Sequence, residues 1–374
     1  MPDGHFIFCL NTKNETKKVK ASQITFKIQF LIAKVKELTS FKQLFLFNAP
    51  CGCILEDYLQ GQSTKFTFNN FTIVSLPPMV YESYDINFTQ GTSKVHRFHT
   101  KDGNTPIFLI HGYFEDGRIF FTKKGKGFAP FLAENGFDVF VCDLLGKGES
   151  TPKIKKEFNH SQFEIITRDI PTYLAFVRKT TGIDKIHLGA HSWGGVVAIA
   201  YLSRTQDPNI KSMIAFSTKR RIAIKGWRKF IGVDLIWDKY GTYLTKKHGY
   251  LPAKKMKMGT ENEPAAYYKD ANIWVKEEKW ISPEDGYNYQ QELANVKLPP
   301  ILYITGKGDK LLGHPKDVKR LLEETGKHQT NTLQIVGKEN GFKNDYDHIN
   351  LLTHKDAPQD HFPFVLEFLI QNIN

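Results

Sequence analysis

Cysteine and long apolar runs are both scarce in this chain of 374 residues. The four cysteines are Cys9, Cys51, Cys53 and Cys142. Cys51 and Cys53 are too close in sequence for an easy mutual disulfide, and no second pair completes a metal site. Cys142 ends the apolar run of residues 139–142, which predicts a buried free thiol. This cysteine usage suits a reducing compartment.

The chain also lacks any stretch of about 18 uninterrupted apolar residues, the length that a membrane-spanning helix needs. Met1, Pro2 and Asp3 open a segment with no basic n-region, and no clean apolar h-region follows. We therefore predict neither a signal peptide nor a transmembrane helix, and a cytoplasmic location. Peripheral attachment to a membrane stays open as an alternative because of the charge pattern.

Acidic residues are nearly absent from residues 219–257, where twelve basic residues are opposed only by Asp234 and Asp238. The segment thus contributes +10 to a net charge of +12 for the whole chain. A solvated lysine-rich surface is the favoured explanation, since charge runs are usually solvated. The alternative is a surface that faces an anionic membrane or an anionic substrate. We do not expect nucleic acid as a partner because no recognition fold accompanies the charge. Nothing in these patterns indicates an oligomeric state.

The most informative segment, residues 188–195, reads Leu-Gly-Ala-His-Ser-Trp-Gly-Gly. It joins an apolar run typical of a strand to an Ala/Val-rich run typical of a helix. This is the pattern of a nucleophile elbow, a sharp strand-to-helix turn that presents a serine hydroxyl, here that of Ser192. Bulky side chains two positions before or after the serine would clash, and Ala190 and Gly194 stand there. Ala190 departs from the usual glycine by one methyl group.

A serine hydroxyl needs a base to take its proton, and the base needs an acid to orient it. With a serine in such an elbow, the chain order is serine, acid, histidine. Asp309 follows the apolar run of residues 301–304 and is the predicted acid, because a carboxylate there stands on the same sheet edge as the elbow. His348, in a loop 39 residues later, is the predicted base. His361 is the alternative base, and His354 is assigned to the surface.

Acyl transfer also needs hydrogen-bond donors for the oxyanion that develops on the substrate. The predicted donors are the backbone N–H groups of Trp193, which follows the serine, and of Tyr113, which follows His111 and Gly112. His111 is expected to stabilise a turn. His191 is expected to be a packed residue that points away from the site, because adjacent side chains diverge at the elbow.

Strand and helix patterns alternate from about residue 80 onward, beginning with an antiparallel hairpin. Asp143, after one of the apolar runs, is expected to shape a turn with Gly146 and Gly148. The alternation stops over about residues 219–295, where four tryptophans lie among basic residues, and then resumes. This pattern predicts a mostly parallel, doubly wound α/β sheet that carries a cap insertion.

Residues 1–79 do not follow this pattern. Residues 24–32 alternate between apolar and polar side chains, which predicts a strand, and residues 41–47 are apolar enough to pack in a core. We find no chemistry in this segment. It is treated as an N-terminal extension of unknown role ahead of a second domain, residues 80–374.

The second domain resembles the α/β-hydrolase superfamily. The resemblance rests on five motifs in order, at residues 111–113, 143–150, 190–194, 306–309 and 347–348. A further segment, residues 115–130, is similar to a bacterial lipase/esterase-like branch of that superfamily. Two positions depart from the pattern: Ala190 replaces the usual glycine, and Asn350 stands where lipase-like relatives often carry an acid.

The resemblance implies an α/β-hydrolase fold and a serine hydrolase, but the motifs are unspecific for substrate because this fold hosts many chemistries. The predicted reaction is cleavage of a carboxylic ester through Ser192, His348 and Asp309 and an acyl-enzyme intermediate. Neither a metal nor another cofactor is needed. The cap is expected to line an acyl pocket with its tryptophans, for a small-molecule or lipid ester. A peptidase or thioesterase with the same triad is one alternative. A non-enzymatic, membrane-docking protein that retains the fold is another.

Overall fold

The chain divides into two compact units, residues 1–79 and residues 80–374. The computed structural model describes the backbone of three short segments of the first unit and nearly all of the second: residues 6–10, 65–68, 71–75, 78–326 and 330–373. The strand predicted at residues 24–32, the apolar run at residues 41–47, and Cys51 and Cys53 lie outside these ranges.

Three strands of the first unit are described, namely β1 (Phe6–Leu10), β2 (Lys65–Phe68) and β3 (Phe71–Ser75). They form an antiparallel sheet in the order β1-β3-β2. This unit contributes no candidate site residue.

The second unit is built on an eight-stranded sheet. The strands after β3 are β4 Val80–Phe88, β5 Gly91–His99, β6 Thr105–Ile110, β7 Phe137–Asp143, β8 Ile186–His191, β9 Ile210–Phe216, β10 Tyr250–Leu251, β11 Glu263–Pro264, β12 Ile301–Gly306 and β13 Thr332–Val336. The sheet order is β13-β12-β9-β8-β6-β7-β5-β4, and β10 pairs separately with β11. The β4/β5 hairpin and the β5/β7 pair are antiparallel, and the remaining pairs of the sheet are parallel. The predicted α/β class with a mostly parallel sheet is confirmed.

Helices flank this sheet. They are α1 Phe128–Glu134, α2 Gln162–Glu164, α3 Ile170–Thr181, α4 Trp193–Thr205, α5 Trp227–Lys229, α6 Gly241–His248, α7 Ala265–Lys276, α8 Tyr289–Leu293, α9 Pro315–Glu324, α10 Asn350–Thr353 and α11 Phe362–Gln371. Short 3₁₀ turns lie at Gly117–Ile119, Lys338–Asn340 and Ala357–Gln359. A π-helical turn, Ile165–Asp169, lies directly ahead of α3, which has Pro171 in its first turn.

The central strands are buried along their whole length, since both faces of the sheet are covered. Every residue of β7 and of β8 is buried, which explains why these strands read as continuous apolar runs in the sequence. Because the strands from β6 to β13 that share the sheet are parallel, their carboxyl ends meet at one edge. That edge carries Ser192, after β8, and Asp309, after β12.

No strand of the eight-stranded sheet falls between β9 and β12. This part of the chain holds α5, a π-helical segment Phe230–Tyr240, α6, the β10/β11 pair, α7 and α8. It corresponds to the segment in which the sequence pattern lapses. None of the helices in the described ranges has the length and apolar character that a membrane span requires.

Candidate active site

Ser192 occupies the turn between β8 and α4 in a strained backbone conformation. Its φ is 52° and its ψ is −123°, outside the regions that most non-glycine residues adopt. The backbone N–H of Ser192 donates to the carbonyl of Phe216 at the end of β9, at 2.8 Å. The turn therefore has the geometry of a nucleophile elbow.

Small residues after the serine let the chain segments approach closely. A Cβ on Gly194 would lie 2.5 Å from the carbonyl oxygen of His111 and 2.6 Å from that of Ile110, both at the end of β6. A Cβ on Gly195 would lie 2.2 Å from Oγ1 of Thr218. Ala190 is fully buried within β8 and its methyl group is accommodated there.

Asp309 and His348 meet as a hydrogen-bonded pair. Nδ1 of His348 lies 2.7 Å from Oδ2 of Asp309. Burial acts to raise the pKa of Asp309, but the hydrogen bond to His348 and backbone N–H donors outweigh it and hold that pKa below its usual value. Burial lowers the pKa of His348 below its ordinary value, against the opposing effect of Asp309. The imidazole is therefore neutral near pH 7, as a general base must be.

Ser192 and His348 line the same cavity, which has a volume of about 740 Å³. Asp309 is buried and does not line it. Most of the other lining side chains are apolar, with Ile119, Trp193, Ile222, Val233, Trp237, Val275, Leu311 and Ile349 among them. The arrangement presents a hydroxyl and an imidazole to an apolar chamber.

Tyr113 and Trp193 also line this cavity. Trp193 is the first residue of α4, where a backbone N–H has no acceptor within the helix. Within the described part of the chain, the N–H of Tyr113 has no hydrogen-bond partner either. The next N–H along the loop, that of Phe114, is engaged by Oε1 of Glu263 at 2.6 Å. Two backbone donors at the cavity wall are thus free to bind an anionic oxygen.

A buried network around His191 and Glu115 was missed by the sequence reasoning. His191 is fully buried and does not line the cavity, as expected, but Nε2 of its ring lies 3.0 Å from the carbonyl oxygen of His348. Its Nδ1 lies 2.6 Å from Oε1 of Glu115, which also accepts from the N–H of Gly112. The pair therefore links the loop of the candidate base to the loop of the candidate oxyanion donor. No spacing rule would have singled out Glu115.

A second buried ion pair lies beneath the Tyr113 loop. Nζ of Lys147 is 2.7 Å from Oε1 of Glu263, and both side chains are almost completely buried. Lys147 comes from the loop after β7 and Glu263 from the segment between β9 and β12. The ammonium also lies over the rings of Tyr113 and Tyr267. The charge on Lys147 gave no sequence signal because lysine is usually exposed.

The other histidines considered in the sequence analysis, His361, His354 and His111, bond to nearby backbone groups. His361, the alternative base, is fully buried outside the cavity and bonds through Nε2 to the carbonyl of Leu351 at 2.7 Å. His354 is partly exposed and accepts from the N–H of Asp356. Nε2 of His111 accepts from the N–H of Leu144 at 3.1 Å, so this ring joins the loops after β6 and β7.

Asp143 holds the turn expected of it. Its carboxylate accepts from the N–H groups of Gly117 and Glu149, and a Cβ on Gly148 (φ +51°) would lie 2.1 Å from that carboxylate. Asn350 stands where lipase-like relatives often carry an acid, and it forms hydrogen bonds with Asp347.

The tryptophans of the cap do not line the cavity as a group, which corrects the prediction. Trp237 does so, whereas Trp274 and Trp280 pack in the main core with their ring centroids 5.5 Å apart. Trp227 is 69% exposed. Trp274 and Trp280 are fixed by burial, and Arg220 covers Trp280 while bonding to Glu324. The cavity is instead walled mainly by aliphatic side chains, together with Trp193 and Trp237.

No group of three or more histidine, cysteine or carboxylate side chains is arranged to hold a metal ion in residues 78–326 and 330–373. Cys142 is a buried free thiol, as predicted, and burial raises its pKa well above the usual value.

A sequence model described as the alpha/beta hydrolase fold matches residues 105–330, which is more than half of the chain. The chain belongs to this family. This α/β-hydrolase is 32% identical over 128 residues to a proline iminopeptidase of Clostridioides difficile, a match that covers 34% of the chain and 39% of that protein. It is also 31% identical over 97 residues to sterol esterase 2 of Saccharomyces cerevisiae, covering 24% of the chain and 18% of the esterase.

Among solved structures, this α/β-hydrolase is similar to a membrane phospholipase A described as a bacterial virulence factor. The TM-score is 0.51 and the identity is 16%, over 79% of the chain and 87% of the phospholipase. At this identity the likeness shows the fold alone. The chain spans well under half the length of the curated relatives that it matches first.

Proposed function

We propose that this α/β-hydrolase cleaves carboxylic esters through a covalent acyl-enzyme formed on Ser192. Oγ of Ser192 attacks the ester carbonyl while Nε2 of His348 takes its proton and then delivers it to the departing alkoxide. Water, activated by the same imidazole, releases the acid and restores Ser192. Asp309 orients the ring, and the N–H groups of Tyr113 and Trp193 bind the oxyanion. The observation that carries the proposal is that the serine at the elbow and the Asp309-bound imidazole line one cavity.

The apolar wall of the cavity supports an acyl ester as substrate. A chamber of about 740 Å³ falls in the range of sites that enclose a small ligand, and its aliphatic and aromatic lining suits a hydrocarbon chain. Burying that chain would provide roughly 0.8 kcal/mol per methylene. A water-insoluble or lipid ester fits such a wall better than a polar one.

A peptidase is the second candidate because several of the curated relatives are proline iminopeptidases. Such an activity would require an acidic group for the amino terminus of the substrate. Glu115 and Asp116 line the cavity, but Glu115 is engaged by His191, and Asp116 by Arg118 at 2.8 Å. The cation Lys219 lines the same cavity and would repel an ammonium group. These charges favour an ester over a substrate with a free amino terminus. A thioester would contact the same cavity wall, so the charges do not distinguish it from an ester.

Labelling by a fluorophosphonate probe and hydrolysis of a p-nitrophenyl ester series test the proposal. We expect the purified protein to be labelled, with Ser192→Ala unlabelled and at least about 1,000-fold slower. Ser203→Ala, which alters a buried serine of the same helix away from the cavity, is the matched control. Faster turnover of prolyl amides than of esters would favour the peptidase. A folded protein that neither reacts with the probe nor cleaves either panel would favour the non-enzymatic alternative.

We also propose that the protein contacts the surface of a membrane or micelle. Trp227, Phe230, Ile231 and Leu235 are exposed on consecutive turns of the segment 227–240, which also supplies Gly232, Val233 and Trp237 to the cavity wall. A groove beside it is lined by Lys225, Arg228, Lys229, Lys310, Lys316 and Arg320. Exposed apolar side chains beside cations fit an anionic lipid surface. Contact there would bring lipid esters to the mouth of the cavity.

A further inference from the structure

One cation of the active-site cavity is buried and unpaired. Lys219 follows the carboxyl end of β9 by three residues, on the sheet edge where the carbonyl of Phe216 accepts from the N–H of Ser192. Its side chain lines the cavity together with Ser192 and His348, and the residue is only 6% exposed. The lysine thus points its charge into the space that the substrate must enter.

The Lys219 ammonium has neither a hydrogen-bond acceptor nor an ion-pair partner among the residues that the structure describes. The other charged groups of the cavity wall are already matched: Arg118 pairs with Asp116, and Glu115 with His191. Asp309 and Asp317 are near enough to act on Lys219 electrostatically, but neither lies within ion-pair distance of it. Burial has the largest effect on Lys219 and lowers the pKa of its ammonium group, against the opposing effects of Asp309 and Asp317. An anionic group bound beside it would favour the charged form of the lysine.

Lys219 acts electrostatically on the His348 imidazole, and both residues line the cavity. Burial is the main cause of the lowered pKa of the His348 imidazole. The charges of His191 and Lys219 act in the same direction. A negatively charged group of a bound substrate that paired with Lys219 would lie in the cavity that Ser192 and His348 also line. Lys219 is only three residues after Phe216, whose carbonyl accepts from the N–H of Ser192, so the chain holds Lys219 on the same side of the sheet edge.

We propose that Lys219 is an anion-binding residue of the cavity, and that the preferred substrates are esters with a carboxylate or phosphate near the scissile carbonyl. This inference rests on the proposed ester hydrolysis and names its substrate class. The anion supplies the missing counter-charge, and the apolar wall holds the hydrocarbon part of the ester. Two sources share this chemistry: a carboxylate on the acyl side and a phosphate on the alcohol side.

Matched substrate pairs test the proposal by a ratio of kcat/KM values. The acyl-side pair is the mono-4-nitrophenyl ester of glutaric acid and 4-nitrophenyl pentanoate. The alcohol-side pair is a lysophosphatidate and the monoacylglycerol of the same chain length. In at least one pair we expect the protein to prefer the anionic ester by about 10- to 100-fold, the worth of a hydrogen bond to a charged group.

Lys219→Met should bring this ratio to near one, and Lys219→Arg should keep most of it. Lys179→Met, at an exposed lysine of α3, is the control and should leave the ratio as in the unaltered protein. Any effect of Lys219 on His348 acts on both members of a pair and cancels in the ratio. The pair that shows the Lys219-dependent preference identifies the source of the anion. A ratio in both pairs that does not change in Lys219→Met overturns the proposal.

Binding of glutarate to Ser192→Ala and to Ser192→Ala/Lys219→Met, followed by calorimetry, repeats the comparison without turnover. Hydrolysis of neutral esters with no Lys219-dependent preference would refute the anion site alone. Glutarate binding that requires Lys219, in a protein that hydrolyses no ester, would refute the proposed function and leave the anion site standing. A protein that neither hydrolyses esters nor binds glutarate through Lys219 would refute both the proposed function and the anion site.

Discussion

The carbonyl oxygen of His348 lies 3.0 Å from Nε2 of His191, the residue directly before the candidate nucleophile. The two rings are in contact, with centroids 4.7 Å apart. Glu115 outweighs the effect of burial and raises the pKa of His191, while His191 keeps the pKa of Glu115 below its usual value. A carboxylate and a carbonyl both accept, so both ring nitrogens of His191 carry hydrogen and the ring is a buried imidazolium.

His191→Gln is expected to move the acid limb of kcat/KM to higher pH. His348 must be neutral to accept a proton, and beside burial the cation at His191 helps to keep its pKa low. Removing that cation, and leaving Glu115 uncompensated, raises the pKa of His348 and so moves the limb upward. We also expect kcat to fall by about 10- to 100-fold because the loop of His348 loses its anchor.

His187→Gln is the matched control for His191→Gln. His187 is a buried histidine of the same strand, bonded to Ser212 and absent from the cavity wall. Its replacement should affect stability and leave the acid limb in place. An unchanged pH profile in His191→Gln, measured on folded protein, would refute the electrostatic role of that residue.

Gly194→Ala is expected to damage the elbow, whereas Ala190→Gly is expected to be mild. A Cβ at Gly194 would meet the backbone carbonyls of Ile110 and His111, which cannot swing aside. The cost should be about 1–3 kcal/mol in the free energy of unfolding, with a large loss of esterase activity. Ala190→Gly removes one buried methyl group and should cost about 1 kcal/mol. Urea unfolding and ester hydrolysis measure both, and equal effects would contradict the close-packed elbow.

Lys147→Met is expected to lower the free energy of unfolding by about 3–5 kcal/mol, because it leaves the buried carboxylate of Glu263 unpaired. Lys147→Met/Glu263→Leu should recover most of that loss, since no buried charge remains. Urea titrations at pH 7 measure both variants. A double variant no more stable than the single one would show that packing, rather than charge, accounts for the loss.

The penalty in Lys147→Met should also depend on pH. Burial raises the pKa of Glu263 to about 7 even though Lys147 opposes it. A carboxyl with a raised folded-state pKa stabilises the fold fully below its ordinary pKa and loses that contribution as pH rises through the folded value. Without Lys147 the folded-state pKa is higher still. The variant should therefore lose more stability at pH 8 than at pH 5 relative to the unaltered protein, and the opposite order would contradict this account.

Trp227→Ser/Phe230→Ser is expected to weaken binding to lipid vesicles by about 100-fold or more, since each side chain provides roughly 1.5–3 kcal/mol when buried and about 1.4 kcal/mol corresponds to a factor of ten. Co-sedimentation with phosphatidylcholine vesicles, with and without phosphatidylglycerol, measures the effect. Val80→Ser/Ile370→Ser, at exposed apolar positions away from the cavity wall, is the control. Lys225→Glu/Arg228→Glu should reduce binding only to the anionic vesicles. Vesicle binding that is unchanged in all of these variants would show that this surface does not contact the lipid.

Much of the fold could be predicted because buried parallel strands leave a strong local signature. The runs around β6, β7, β8 and β12 are predominantly apolar since both faces of the sheet are covered. The irregular segment after β9 could be located by the lapse of that pattern, but its π-helical turns and the burial of Trp274 and Trp280 could not.

The sequence by itself determined the elbow, the order of the candidate triad and the sheet edge on which its members stand. These depend on residue type and on strand ends, which are local properties of the chain. The tertiary structure decided which charges are buried against one another: Glu115 with His191, Lys147 with Glu263, and Lys219 with none among the described residues. Such partners are 76 and 116 residues apart, and burial turns an ordinary surface charge into one that needs a counter-charge. That requirement arises only when the chain is folded.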